Sequence, residues 1–232
     1  MKILILAGGK ATRLGFLSRN TAKSMIDING KPFLSYVLDN LEKFNFEEVK
    51  LCLGHLSHDI VKYIKNKYTG KIKVVFSFDG KNPLGTGGAI KHALKNEDQN
   101  EPFFVMYGDS YLRVDYAKIY TRYLESKNPL MTIFKNENFF DKSNVCDCFG
   151  SFKYSKNKLC KKAKYIDYGL SIFSKENLYS FPDNFDLSLA QEKFSNEKQL
   201  SYFLVKKRFY EIGSLAGIKE FKKFIVSNDH LE

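Results

Sequence analysis

Residues 4–14 read LILAGGKATRL, and the run leading into them, Lys2 to Leu6, is aliphatic after its first residue. An unbroken apolar run ended by glycines predicts a parallel strand covered on both faces. At Ala7-Gly8-Gly9 the strand would end on backbone N–H groups with no side chain in front of them, and a phosphate can approach such a backbone closely. Arg13, four residues beyond Gly9, would add a cation there. Gly-Gly after a strand is also an ordinary turn. The loop lacks the third glycine of the dinucleotide-binding fingerprint, and no Gly-Lys-Ser/Thr closes it as in a Walker loop.

Outward from this loop, strands and helices alternate. Pro32 opens a helix that sets Phe33, Leu34, Val37, Leu38, Leu41 and Phe44 on one face. Val49–Leu53 reads as the next strand, Ser57 as the cap of a second helix with Ile60, Val61 and Ile64 inward, and Ile72–Phe78 as a third strand. A turn then leads to a helix at about 88–95, and FFVMYGDSY (103–111) contains another apolar strand. This alternation predicts an α/β fold, a doubly wound and mostly parallel sheet, through about residue 125. Gly8-Gly9, Gly85–Gly88 and Gly108-Asp109 fall at carboxyl ends of these strands, where such sheets bind ligands. From about 129 the helices drop out: LMTIFK (130–135), CFGSFKYS (148–155) and KYIDYGLSIF (164–173) predict antiparallel strands in the C-terminal half. DLSLAQEKF reads as a helix, LSYFLVKKRFYEIG (200–213) as a hairpin or edge pair, and Leu215–Ile225 as a closing helix. No Pro/Ser-rich linker divides the chain, so residues 1–232 read as one domain.

Composition narrows the class. The chain has 232 residues, 44% of them hydrophobic, enough for a core and too many for wholesale disorder. No apolar run reaches the roughly 18 residues of a membrane span, and no signal segment precedes the first strand. The expectation is a cytoplasmic protein with no membrane partner. The net charge of +11 is scattered with no Arg-rich arm, which favours an anionic small molecule over nucleic acid. Cys146-Asp-Cys148 lacks zinc-knuckle spacing, and Cys52 and Cys160 have no matching pair, so the four cysteines read as reduced thiols.

Lys23, in TAKSM just before a short strand in MIDING, would be a second cation above the glycine loop; a solvated surface lysine is the alternative. The set LILAGGKATRL, TAKSMIDINGKPFLSYVLDNL, NPLGTGGAI, YGDSYL and YEIGS resembles the nucleotidyltransferase family typified by the sugar-1-phosphate nucleotidyltransferases. The resemblance covers nearly the whole chain, in order. It implies a Rossmann-like nucleotidyltransferase fold, with residues 1–125 as a nucleotide-binding half and 126–232 as an acceptor-binding half. It implies transfer of a nucleoside monophosphate from an NTP to a small phosphorylated acceptor, with release of pyrophosphate. By the same resemblance Arg13 and Lys23 are catalytic. Leu6, Ala7, Gly8, Gly9, Lys10, Gly85, Thr86, Gly87, Gly88 and Asp109 bind the nucleotide, and Asp109 and Glu211 bind Mg²⁺, for which Mn²⁺ could substitute. Such a reaction brings two anions together, so cations and a hard metal ion suffice; no Ser–His or Cys–His set is present or required.

The departures matter. Lys10-Ala11 stands where many relatives have another glycine, Ala22 and Ser24 flank Lys23 in place of prolines, and Glu211 stands for an aspartate. On the acceptor side Lys156 is the nearest lysine to a family element, and Asp167-Tyr168-Gly169 replaces an Asn-Ala-Gly-like one. An aspartate there suits an acceptor ammonium, or else bonds local backbone. YIDYGL with YGDSYL and RFYEIGS resembles the CTP:phosphoglutamine cytidylyltransferases of capsule phosphoramidate biosynthesis, which makes CTP and phosphoglutamine the first expectation. A heptose 1-phosphate guanylyltransferase making an NDP-sugar is the alternative within the class, and a nucleotide-sensing module the alternative outside it.

Overall fold

The aliphatic run at the N-terminus forms the expected strand, Lys2–Leu6 (β1). The computed structural model describes residues 1–9, 14, 21–80, 82–97, 100–136, 139, 141–148, 150–156 and 163–228. After β1 come Asp27–Ile28 (β2), Lys31–Pro32 (β3), Phe33–Glu42 (α1), Glu48–Leu53 (β4), Ser57–Asn66 (α2), Lys73–Phe78 (β5) and Gly85–Ala93 (α3). Phe103–Tyr107 (β6), Ser110–Tyr111 (β7), Tyr116–Ser126 (α4) and Leu130–Lys135 (β8) follow. The chain continues through Val145–Cys148 (β9), Ser151–Tyr154 (β10), Tyr165–Phe173 (β11), Glu176–Tyr179 (α5) and Leu187–Asn196 (α6). Ser201–Val205 (β12), Tyr210–Glu211 (β13) and Leu215–Asn228 (α7) complete it.

Among the described residues nine strands join one sheet, with the path β10-β9-β11-β6-β1-β4-β5 and with β8 and β12 continuing from β11. The strands β6, β1, β4 and β5 run parallel. The strand β11 turns antiparallel to both β6 and β8, and β12 then lies parallel to β8. The fold is therefore the expected mostly parallel, Rossmann-like sheet, with antiparallel strands in the C-terminal half. Parallel strands with helices on both faces bury both sets of alternating side chains. Ile3 and Ile5 enter the core under α1, α4 and α7, while Leu4 enters a second core with Ile90 and Ala93 of α3 and Ala190 of α6.

Three local expectations change. Ser57 is the first residue of α2 and not its cap; the cap is Leu56, in the left-handed region at φ 60° with no side-chain cap bond. The helix expected at 88 begins at Gly85, so the glycines read as a loop form its first turn. The stretch 200–213 is neither a hairpin nor one edge pair, because β12 pairs with β8 and β13 with β7. Each half finds a partner distant in sequence, which local patterning does not register.

Candidate active site

The carboxyl ends of the four parallel strands open into one cleft of about 610 Å³. Leu6 at the end of β1 with Ala7, Gly8 and Gly9 beyond it, Cys52 near the end of β4 with Gly54 and His55 beyond it, and Asp79 and Gly80 after β5 form its floor. Tyr107, which ends β6, completes the row with Gly108 and Asp109 beyond it. The strand ends approach closely because their side chains are absent: a Cβ on Gly8 would lie 2.9 Å from the Gly54 nitrogen. Among the described residues, none lies within 4 Å of the corresponding position on Gly9.

Lys23 and Ser24, from the short 3₁₀ turn Lys23–Met25, line the same cleft. The Lys23 ammonium donates to Asp109 Oδ2 at 2.5 Å. Two of the expected residues, 86 positions apart in sequence, therefore meet. Glu211 is brought to this lip by backbone pairing, since β13 lies antiparallel to β7 with Glu211 opposite Ser110, and Ile212 N–H donates to Asp109 O at 3.0 Å. The position of a Gly213 Cβ lies 3.4 Å from Lys23 Nζ and 3.7 Å from Glu211 Oε1, so ammonium and carboxylate flank the same point. Lys10 and Arg13 lie outside the described residues.

The second glycine group divides. Gly85 and Thr86 line the cleft, with Ala89 one turn later. Gly87 and Gly88, also expected at the nucleotide, are not among the residues lining the cleft. Their N–H groups donate to Phe185 O at 2.9 and 3.1 Å, and Thr86 Oγ1 accepts from Leu187 N–H at 2.8 Å. A Cβ on Gly87 would lie 2.3 Å from the Phe185 ring, and one on Gly88 2.3 Å from Asp183 O. These glycines are small so that the segment 183–187 can lie across the start of α3, and it delivers Asp186 to the cleft.

The acceptor residues also divide. Lys156 is exposed and donates to Asp186 Oδ2 at 2.9 Å, which sets it at the cleft's outer edge. Tyr168 is 1% exposed, packs edge-on against Phe209, and accepts from Arg113 N–H at 3.3 Å, which places its ring in the core. An adjacent pair on a strand points to opposite faces, so Asp167 and Tyr168 could not both face one ligand. The Asp167 carboxylate accepts from Gly169 N–H at 2.9 Å and from Gln191 Nε2 at 3.4 Å. Burial pushes this carboxyl up to about 6, against the lowering effect of those two donors. Gly169, at φ +89° in a bulge of β11, allows Tyr107 of the cleft to pack beside it.

Sequence reasoning missed Asp79. Its N–H continues the ladder to Leu53 O at 2.9 Å, and Oδ2 sits 3.5 Å from where a Gly8 Cβ would be. Burial raises the Asp79 carboxyl above the usual range, while nearby His92 pulls it down. The strand-end rule that selected Asp109 applies equally to Asp79. Cys52 is buried beside it, and its thiol is pushed up to about 12 by burial and then by Asp79, so it stays protonated and is no nucleophile.

The cleft therefore combines a glycine floor and a lysine with the carboxylates of Asp79, Asp109 and Asp186, and Glu211 stands at its lip beside Lys23. The family pattern described as Nucleotidyl transferase matches residues 2–139. The chain is 35% identical over 205 residues to D-glycero-alpha-D-manno-heptose 1-phosphate guanylyltransferase of Campylobacter jejuni, covering 86% of this chain and 85% of that protein. It is 31% identical over 212 residues to the enzyme of the same name from Aneurinibacillus thermoaerophilus, covering 90% and 88%. The crystal structure of HddC from Yersinia pseudotuberculosis complexed with GMP-PN superposes with a TM-score of 0.79 at 28% identity, over 97% of this chain and 99% of that one. With the cleft where a parallel sheet must put it and these matches along nearly the whole chain, the protein belongs to the nucleotidyl transferase family.

Proposed function

We propose that this chain transfers GMP from GTP to the phosphate of a heptose 1-phosphate, forming a GDP-heptose and pyrophosphate. The observation that carries the base choice is the Asp79 carboxylate inside the cleft. Asp79 and Asp109 follow β5 and β6, three strand spacings or about 14 Å apart, which is the scale of an extended nucleotide. Guanine presents N1–H and N2–H₂ side by side, and a carboxylate accepts both. Cytosine presents one donor beside an acceptor that a carboxylate repels. The two bacterial relatives named for guanylyl transfer to a heptose 1-phosphate support the same base and suggest the acceptor.

The first expectation, CTP with phosphoglutamine, rested on motif resemblance, with Asp167 suited to an acceptor ammonium. The Asp167 carboxylate accepts from Gly169 N–H and Gln191, which is the local bonding named as its alternative, so Asp167 lends that choice no support.

In the proposed reaction an acceptor phosphate oxygen attacks the α-phosphorus in line. The new O–Pα bond forms as the bond from Pα to the bridging oxygen breaks, and pyrophosphate leaves. Lys23 stabilises phosphate charge as it shifts toward the leaving group, and the glycine floor holds the chain of phosphates in position. Asp109 and Glu211 offer the hard carboxylate oxygens that Mg²⁺ or Mn²⁺ takes, at a lip that also carries Lys23. When bound, such an ion would neutralise phosphate charge.

The test is pyrophosphate release with each of four NTPs against heptose, mannose and glucose 1-phosphates and phosphoglutamine. The highest kcat/KM is expected for GTP with a heptose 1-phosphate. Turnover of CTP with phosphoglutamine, and none of GTP with sugar phosphates, would refute the proposal.

A further inference from the structure

Behind α3, on the side away from the nucleotide cleft, lies a second cleft of about 420 Å³. Helix α3 is its shared wall: Gly85, Thr86 and Ala89 face the first cleft, while Lys91, His92 and the following Lys95 face the second. Lys175 reaches it from the segment before α5, and among the described lining residues Asp183 is the one carboxylate beside these lysines. The Lys91 ammonium pairs with Asp183 Oδ1 at 2.9 Å, and that carboxylate is 93% exposed. The charge of the cleft thus favours an anion, for which Asp183 is an exposed and replaceable stand-in.

The floor is not polar. Leu84, Leu94 and Leu178 line it, and the Tyr179 ring stands beside them 57% exposed, with the Lys175 ammonium 5.9 Å from its centroid. A bare inorganic anion has no use for an apolar floor and an open ring. A ligand with phosphate at one end and a flat body at the other uses both, and pockets of this size suit such molecules. We infer that this second cleft binds a nucleoside phosphate, its phosphate held by Lys91 and Lys95 and its base laid against Tyr179 and the leucines. The segment 183–187, which crosses from this cleft to the first and bonds to Gly87 and Gly88, ties its occupancy to the position of Asp186 in the catalytic cleft.

The experiment uses GMP as the probe and methyl NMR of the full chain as the readout. Leu84, Leu94 and Leu178 report the second cleft, and Leu6 reports the first. Millimolar GMP should shift the methyls of the three leucines saturably. Lys95→Glu and Tyr179→Ala should each weaken that response about tenfold or more while leaving any Leu6 response unchanged. Unshifted leucines in the wild type, or shifts that survive both substitutions, would overturn the inference. Equal shifts with inorganic phosphate alone would overturn the assignment of a base to Tyr179. The Leu6 signal separates these outcomes from any failure of the guanylyltransferase proposal.

Discussion

Asp79→Asn keeps the shape of the side chain at the end of β5 and changes only what it offers a base. The wild-type carboxylate can accept two guanine donors at once, whereas asparagine keeps one acceptor oxygen and turns an NH₂ toward the other donor. A hydrogen bond to a charged group contributes about 1.5–3 kcal/mol, so kcat/KM for GTP should fall about 10–150-fold. ITP, which lacks the 2-amino group, completes the cycle. In the wild type it should be poorer than GTP by about the same factor, and in Asp79→Asn the two should be used nearly equally. Pyrophosphate release, with one nucleotide varied at a fixed acceptor concentration, gives all four values. The protein should not be less stable, because burial already raises the Asp79 carboxyl and a neutral side chain removes that cost. A variant that keeps the wild-type preference for GTP over ITP would refute the reasoning.

Other expectations follow from the same geometry. Lys23→Ala should lower kcat about 10²–10³-fold with an unchanged thermal midpoint, since its described ion pair lies in the cleft and not in the core; near-normal turnover would remove Lys23 from the mechanism. Chelator should silence the wild type, Mg²⁺ or Mn²⁺ should restore it, and Asp109→Asn should not respond to either ion; activity in excess chelator would remove the metal. The Asp167 carboxyl titrates near 6 against 3.8 for a free group, so the folded chain holds this proton more tightly than the unfolded one. Its contribution to stability is then full below about pH 4 and lost as pH rises through about 6, by at most ~3 kcal/mol. Asp167→Asn should abolish that slope in urea titrations at about pH 4 and pH 7.5. Gly88→Ala should destabilise by about 1–3 kcal/mol despite alanine's better helix propensity, because its Cβ would lie 2.3 Å from Asp183 O; a raised thermal midpoint would show that segment 183–187 gives way.

What could be read along the chain was whatever depends on neighbours in sequence. The apolar run of β1, the boundaries Leu130–Lys135 of β8 and the strand-end placement of Gly8, Gly9 and Asp109 all follow from period and punctuation. The family likeness rests on the same ordered motifs. The cation at position 23 was legible as a residue, but its meeting with Asp109 was not, because 86 residues separate them.

Tertiary structure decided the rest, and for one recurring reason: a residue's role depends on what packs against it from elsewhere in the chain. Gly87 and Gly88 read as part of a nucleotide-binding loop, and only the fold shows the segment 183–187 taking up their N–H groups and the space above them. Tyr168 looks like a partner of Asp167 until β11 turns it into the core. Asp79 looks like a turn aspartate until the sheet order β6-β1-β4-β5 places it across the floor from Asp109. Strand order and packing are set by long-range burial, which many sequences satisfy in many ways, so the strand-end rule can pick out both aspartates but not that they lie across one cleft floor.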